Sequence, residues 1–262
     1  MMGLVGWIGE KILNALNYLA DLYSLVHRSI ISLPLTKKHD RQVAVQVILR
    51  QIIFTGIDAI PVISSIALML GAIVIIQSVT QLPKVGGDEF IGKILVLVVI
   101  RELGPILTVF VVIGRSGSAI PTELGNMKIN SEIEALEVMG IDLIRYIVMP
   151  RILGFVVSTV ALVIYFDVVA IIGGFIISKM SITTYFLDFL IIILKSLTFT
   201  DISISTIKGM VFGLTVAVVG CYHGLSVQRS ITEVPQQTTK AIINSITLCF
   251  ILNSLITIAG YI

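Results

Sequence analysis

The chain has 262 residues, of which 56% are apolar and only 13% charged, and its net charge is +2. Soluble domains carry about 25% charged residues, so this composition excludes a disordered chain, a basic nucleic-acid binder and almost any soluble enzyme. Since one bilayer crossing takes about 20 mostly apolar residues, an integral membrane protein is predicted.

The N-terminal segment, residues 4–31, predicts an amphipathic helix. Its polar residues recur at spacings of three or four, which places them on one stripe of a helix. A helix with one polar stripe and apolar other faces favours a position in the membrane interface. The alternative is a first transmembrane helix with a few polar positions. The stripe consists of Glu10, Asn14, Asn17, Asp21, Ser24 and Arg28.

Five later segments are apolar and long enough to cross a bilayer. Residues 183–199 contain about 17 residues interrupted by charges, which is short for a crossing and favours a helix packed at the membrane surface. The third crossing is expected to be closed by Gly173, Gly174 and Lys179. We therefore expect one all-α membrane domain over residues 1–262, with crossings at 59–80, 90–113, 147–178, 203–223 and 241–261.

The distribution of Lys and Arg predicts the orientation, because short cytoplasmic loops are enriched in these residues. With a cytoplasmic N-terminus, twelve of the 18 lie on the inner side, five (Lys208 among them) lie on the outer side, and Arg101 lies within a crossing. This bias predicts a cytoplasmic N-terminus and an external C-terminus.

The second crossing contains two adjacent charges, Arg101 and Glu102, followed by Gly104 and Pro105. Ionisable groups at membrane depth are costly and usually face a protein interior or a wet cavity, and proline tends to kink a helix. This predicts a cavity wall. The alternative is a buried pair that a neighbouring helix neutralises. Asp58 and Asp167 are expected to make structural polar contacts.

The polar stretch between the second and third crossings predicts a short helix at 131–139. Ser131 and Glu134 have the spacing of a capping box, and Gly140 is suited to end the helix. On the cytoplasmic side such a helix is suited to dock another subunit. A solvated helix resting on its own bundle fits the pattern equally well.

Catalytic signals are weak. Residues 87–93 match the first seven places of a nucleotide-binding P-loop, but Ile94 stands where a Ser or Thr should bind magnesium, and no strand precedes the match. A nucleophile with an ordered acid–base partner is not visible either. We therefore expect neither an enzyme nor a metal or cofactor site in this chain.

Five short motifs carry a family resemblance. They are Arg-Glu-Leu-Gly-Pro at 101–105, Gly-Arg-Ser-Gly-Ser-Ala at 114–119, Glu-Leu-Gly-x-Met at 123–127, Glu-Ala-Leu-x-x-Met-Gly-Ile-Asp at 134–142, and Pro150-Arg151. Together they closely resemble the MlaE family. Members of this family are permease subunits of ABC transporters that move phospholipids across the bacterial envelope.

The resemblance implies an assembly in the bacterial inner membrane. It implies a homodimer of five-crossing permeases, a cytoplasmic ABC ATPase dimer that binds ATP and Mg²⁺, and an external, periplasmic MCE-domain protein that exchanges phospholipid. The helix at 131–139 then resembles the family's coupling helix. The residues implied to contact the ATPase as a group are Glu123, Met127, Glu132, Glu134, Leu136, Glu137 and Met139.

The resemblance also implies a lipid cavity at the dimer interface. Arg101, Glu102 and Leu103 are its principal implied residues, with Arg101 suited to a lipid phosphate. Further implied wall positions are Val74, Gln81 and Leu82. A competing hypothesis is an ion-coupled secondary transporter that uses Glu102 and Asp167 as relay groups. Such folds often contain internal repeats, and none is evident in the sequence.

Overall fold

A computed structural model describes residues 2–31, 38–82, 91–178, 186–228 and 230–260. These residues form helices joined by turns, and no strand occurs among them. The α-helices are α1 (Met2–Ile31), α2 (Lys38–Thr55), α3 (Ile60–Gln81), α4 (Ile91–Leu95), α5 (Gly104–Val112), α6 (Ala119–Ile129), α7 (Glu132–Val138), α8 (Met149–Ser178), α9 (Phe186–Ser196), α10 (Phe199–Leu225) and α11 (Glu233–Ala259).

Within the described residues, five helical stretches are long and apolar enough to cross a membrane, which confirms the predicted all-α membrane fold. They are Ala44–Gln81, Gly92–Ile129, Ile144–Ile176, Phe199–Leu225 and Glu233–Ala259. Helix α1 is not among them, and its place at the interface stays a prediction. Helix α9 has 11 residues, or about 16 Å of helix, which is too short to span the hydrocarbon core.

The second stretch runs well past its predicted end at residue 113. A π-helical segment, Ile113–Gly117, joins α5 to α6, and the helix continues to Ile129. Ile120, Pro121 and Leu124 are buried, so packing against the bundle keeps this polar sequence helical. Residues 87–90 of the P-loop match, together with Lys84, Lys179 and Arg229, lie outside the described residues.

Helix α8 packs against α3 at the middle of the bundle, and small residues allow the contact. A Cβ at Gly71 would overlap the backbone of Ala170, and a Cβ at Gly174 would lie 2.5 Å from the backbone of Gly71. Gly173 and Gly174, which were expected to close the third crossing together with Lys179, both lie inside α8, which continues to Ser178. They serve the close approach of two helices.

Helix α1 is attached to one end of α10 and α11 through aromatic and polar contacts. The ring of Tyr18 packs edge-on against Tyr222, with centroids 5.1 Å apart, and the Tyr18 hydroxyl lies 3.4 Å from Nε2 of His223. Burial raises the pKa of the Tyr18 hydroxyl, so it remains a neutral hydrogen-bonding group. The apolar side chains of Leu13, Leu16 and Leu19 remain exposed.

Candidate functional site

The second membrane-spanning stretch is distorted where the sequence placed its two charges. A π-helical segment, Val96–Leu103, precedes α5, and π-helical turns are rare and concentrate at functional sites. Pro105 has no N–H to donate to the carbonyl of Arg101 four residues earlier. That carbonyl accepts a hydrogen bond from Nζ of Lys208 instead, at 2.8 Å.

Lys208 lies in α10 and its side chain is fully buried. Its ammonium donates to the Arg101 carbonyl, to Oε2 of Glu102 at 2.8 Å and to Oγ1 of Thr257 at 2.9 Å. An ammonium has three N–H donors, so Lys208 is fully satisfied. The earlier assignment of Lys208 to the outer side of the membrane is wrong, since the residue lies inside the bundle.

Glu102 collects hydrogen bonds from two helices. Besides Lys208 of α10, it accepts from the Thr257 hydroxyl at 3.0 Å (to Oε1) and from Nδ2 of Asn253 at 3.3 Å, both on α11. Its side chain is 31% exposed, against 0% for that of Lys208. Lys208 is therefore sealed inside the protein, whereas Glu102 reaches the surface of the single chain.

Arg101 points toward the ends of α10 and α11. Its Nη2 donates to the carbonyl of Gly260 at 2.7 Å, and its Nη1 lies 3.8 Å from Oδ1 of Asp201. Asp201 belongs to a capping box with Thr198 at the start of α10. Arg101 is buried and, within one chain, links two helix ends.

The remaining implied cavity residues are divided between two helices. Leu103 follows Glu102 in the π-helical segment and is partly buried. Val74 packs against the core from α3, whereas Gln81 is the exposed last residue of α3 and Leu82 follows it. The polar contacts of Arg101 and Glu102 run to α10 and α11 instead, so assigning these six positions to one lipid cavity remains a prediction.

Asp58 and Asp167 make the expected structural contacts. Asp58 forms an ion pair with Nη2 of Arg115 at 3.3 Å. Asp167 of α8 accepts a hydrogen bond from the Ser205 hydroxyl of α10 at 3.1 Å. Its other oxygen, Oδ1, lies against Gly104, where a Cβ would overlap it.

The short helix α7 follows α6 after a tight turn. The predicted capping box is wrong: Ser131 adopts a left-handed backbone with φ of 57°, and its side chain makes no capping hydrogen bond. Ser131 joins the two helices, because its N–H donates to the carbonyl of Lys128 in α6 and its carbonyl accepts from the N–H of Ala135 in α7. Gly140, with φ of 73°, follows the helix as predicted.

The residues implied to contact an ATPase fall into two groups. Met127 and Leu136 pack against the core, and Glu123 pairs with the buried Arg151 at 2.8 Å. The side chains of Glu132, Glu134, Glu137 and Met139 are exposed, and that of Glu123 is 64% exposed despite its ion pair. Val138, which lies beside Met139 and is 88% exposed, was not predicted from the sequence as a contact residue.

The sequence also did not predict the partners of the adjacent charges Arg101 and Glu102, which are Lys208, Thr257 and Asn253. Lys208 carried a usable signal, because it is a lone charge inside an apolar segment, where membrane charges generally pair. Thr257 and Asn253 carried none, since Thr and Asn are common in membrane helices and lie over 150 residues from Glu102.

Comparison with known proteins places this chain in a family. The family described as permease MlaE matches residues 48–259. A probable ABC transporter permease protein of Rickettsia prowazekii is 32% identical over 215 residues, covering 80% of this chain and 81% of that protein.

Two further relatives have more descriptive names. The chloroplastic protein trigalactosyldiacylglycerol 1 of Arabidopsis thaliana is 30% identical over 78% of this chain and 58% of its own length. The intermembrane phospholipid transport system permease protein MlaE of Haemophilus influenzae is 24% identical over 99% of this chain and 100% of its own length. The chain therefore belongs to the MlaE permease family and is a multi-pass transport subunit, not an enzyme.

Proposed function

We propose that this permease moves phospholipids between the bacterial inner membrane and a periplasmic MCE-domain protein. The observation that carries the proposal is the Glu102–Lys208 pair. A carboxylate that is partly exposed and held by a fully buried ammonium offers a fixed polar point inside an apolar bundle. A lipid headgroup needs such a point at membrane depth, because hydrocarbon cannot satisfy its polar atoms.

A second copy of the chain completes the proposed cavity. Within one chain, 17% of an apolar 18-residue segment of α11 is buried, against 56% of the corresponding segment within Gly92–Ile129. The exposed apolar side chains include Phe250, Leu255 and Ile258 on α11 and Met69 and Ile73 on α3. Facing copies of these surfaces give a homodimer with an apolar space bordered by Glu102.

The proposed energy source is a cytoplasmic ABC ATPase dimer, which binds the ATP and Mg²⁺. Its contact surface on this chain is the exposed face of α7, with Glu132, Glu134, Glu137 and Met139, while Glu123, Met127 and Leu136 support that face. Because α7 is continuous with α6 through a short turn, force applied to α7 reaches the second membrane-spanning stretch directly.

The proposed orientation has a cytoplasmic N-terminus and a periplasmic C-terminus. Moving Lys208 from the outer set into the bundle changes the count of Lys and Arg from twelve against five to twelve against four, which strengthens the bias. Arg101, Gly260 and the start of α10 then lie near the periplasmic side, where lipid is exchanged with the MCE-domain protein.

The test is purification of the complex from membranes, followed by identification of its proteins and lipids and by assay of ATP hydrolysis. We expect an ATPase and phospholipid to co-purify. Glu102→Gln should lower bound phospholipid roughly tenfold by removing a charge-assisted contact, and co-purification of the ATPase checks that the variant still assembles although Lys208 has lost its carboxylate partner. Leu103→Trp, which narrows the cavity without changing charge, should lower it too. Glu10→Gln, on the exposed stripe of α1, is the matched control.

Two results would contradict the proposal. One is a complex that binds no phospholipid and whose ATP hydrolysis is unchanged by Glu102→Gln and Leu103→Trp. The other is transport that continues without any ATPase and stops when the proton gradient is removed. The second result would favour the ion-coupled transporter, with Glu102 and Asp167 as its relay groups.

A further inference from the structure

The second membrane-spanning stretch is poorly suited to carry a displacement of α7 to Glu102. Between the two, the π-helical segment Ile113–Gly117 interrupts the helix, and Pro105 leaves one helical hydrogen bond unmade. Helices bend preferentially at π-helical turns and at proline. Much of a displacement that enters at α6 is therefore absorbed by bending before it reaches Glu102.

Helix α10 has no such interruption. It is one α-helix of 27 residues, Phe199–Leu225, and it contains no proline. Lys208, which bonds Glu102, lies 17 residues before Leu225, or about 26 Å along the helix. Because the helix is continuous, a displacement of its last turn moves Lys208 as well.

One side chain of α6 binds the end of α10. Nζ of Lys128 donates a hydrogen bond to the backbone carbonyl of Leu225, the last residue of α10. The last carbonyls of a helix have no partner within it, and a cation is favourable there. Lys128 therefore caps α10 and fastens it to α6.

Close packing accompanies this hydrogen bond. A Cβ at Gly220 would lie 3.3 Å from the Cβ of Ile120, and a Cβ at Gly224 would lie 2.7 Å from that of Leu124. Glycines four residues apart allow two helices to approach this closely. Helix α6 thus lies directly on the last two turns of α10.

Helix α11, the other helix that bonds Glu102, is held by α6 as well. The hydroxyls of Thr122 in α6 and Thr238 near the start of α11 lie 3.0 Å apart. Asn253 and Thr257, further along α11, donate to the Glu102 carboxylate. The two helices that hold Glu102 are therefore both in contact with α6 at their other ends.

We infer that Lys128 is a positioning residue that couples α7 to the Glu102 site. By fastening α6 to α10, it passes a displacement of α7 through α10 to Lys208, and so to the carboxylate of Glu102. The inference rests on the proposed function, which places the ATPase at α7 and the lipid at Glu102.

The test uses the complete complex in proteoliposomes that contain a fluorescent phosphatidylethanolamine. The measured quantity is the number of lipid molecules transferred per ATP hydrolysed, which does not depend on how much of the protein is folded. Lys128→Met should lower this ratio roughly tenfold, as expected for the loss of one charge-assisted hydrogen bond, while the ATPase remains bound and active. Lys128→Arg keeps a donor and should retain most of the ratio. Lys195→Met, at an exposed position of α9, is the matched control.

A disulfide between α6 and α10 provides a rescue. Ile120→Cys with Gly220→Cys places two Cβ atoms about as close as a disulfide requires, and Cys221 and Cys249 are replaced by alanine so that no other pair can oxidise. Oxidation should restore the ratio in the Lys128→Met variant, and a reductant should lower it again. With Lys128 present, oxidation should leave transport unchanged, because α6 and α10 already move together.

Three results would overturn the inference while leaving the proposed function standing. They are a wild-type ratio in Lys128→Met, a ratio that oxidation does not restore, and transport that the disulfide blocks when Lys128 is present. The last arm still decides the matter if Lys128→Met does not fold. A wild-type complex without ATP-dependent lipid transfer would instead overturn the proposed function, and this inference with it.

Discussion

Lys208 donates a hydrogen bond to the backbone carbonyl of Arg101 across 107 residues of sequence. The carbonyl is available because the following proline, Pro105, cannot continue the helical hydrogen bonding. A distortion in one helix is thus stabilised by a side chain of another, and the same ammonium neutralises Glu102.

We expect Lys208→Met to be strongly destabilising. It leaves Glu102 without its cation and removes the donor to the Arg101 carbonyl, and breaking a buried ion pair from one side costs about 3–5 kcal/mol. Thermal unfolding in nanodiscs measures the loss. Lys195→Met, at an exposed position of α9, is the matched control and should unfold as the wild type does.

A second substitution tests the cause of this loss. Glu102→Gln in the Lys208→Met background removes the unpaired charge and should restore part of the stability, giving a non-additive double-mutant cycle. Wild-type stability of Lys208→Met, or simple additivity of the two changes, would contradict the pairing of Lys208 with Glu102.

We expect Gly104→Ala to lower stability by about 1–3 kcal/mol, as overpacking does, because its methyl group would overlap Oδ1 of Asp167. Gly114→Ala is the control, since nothing lies within 4 Å of a Cβ there. In an Asp167→Ala background the cost of Gly104→Ala should fall. An equal cost in both backgrounds would show that the carboxylate is not the obstacle.

We expect Gly71→Ala to separate α3 from α8, because the added methyl group would overlap the backbone of Ala170. Backbone atoms cannot rotate aside as side chains do, so the loss should reach about 3 kcal/mol. Gly9→Ala on α1 meets nothing within 4 Å and is the control. The midpoint of thermal unfolding is the measurement, and a Gly71→Ala midpoint equal to that of Gly9→Ala would rule out the close contact.

We expect Val138→Ser to weaken binding of the ATPase roughly tenfold, since truncating a central apolar contact typically costs more than 1 kcal/mol. Folding should be unaffected, because this side chain is 88% exposed. Titration of purified ATPase against the permease in nanodiscs gives the affinity. Ile231→Ser, at a 70% exposed position after α10, is the control, and equal affinities for both variants would remove Val138 from the interface.

Sequence patterns predicted the elements of this fold better than their contacts. Five apolar stretches identify five membrane-spanning helices, because hydrocarbon demands length and apolarity regardless of tertiary contacts. The two adjacent charges, Arg101 and Glu102, were equally evident from the sequence. The pairing with Lys208 was not, since sequence periodicity describes one helix at a time and contains no information on which helices adjoin.

Sequence signals for helix ends were less reliable where tertiary packing placed a second requirement on the same residues. Ser131 and Glu134 satisfy the spacing of a capping box, but Ser131 has a left-handed backbone in the turn between α6 and α7. Gly173 and Gly174 have the composition of a helix end, but they serve the contact between α8 and α3. In both places a tertiary constraint outweighs a local preference of about 1 kcal/mol.

The uncovered face of α11 has a consequence for handling the protein outside its membrane. In lipid, apolar surfaces gain little free energy by associating, so hydrogen bonds contribute much of what holds the end of α11 in place. These bonds run from Thr257 and Asn253 to Glu102, and from Arg101 to the Gly260 carbonyl. Water that enters a detergent micelle competes for these same groups. The end of the last helix should therefore loosen first on extraction, and hydrogen exchange should begin at residues 253–260 while α8 remains protected.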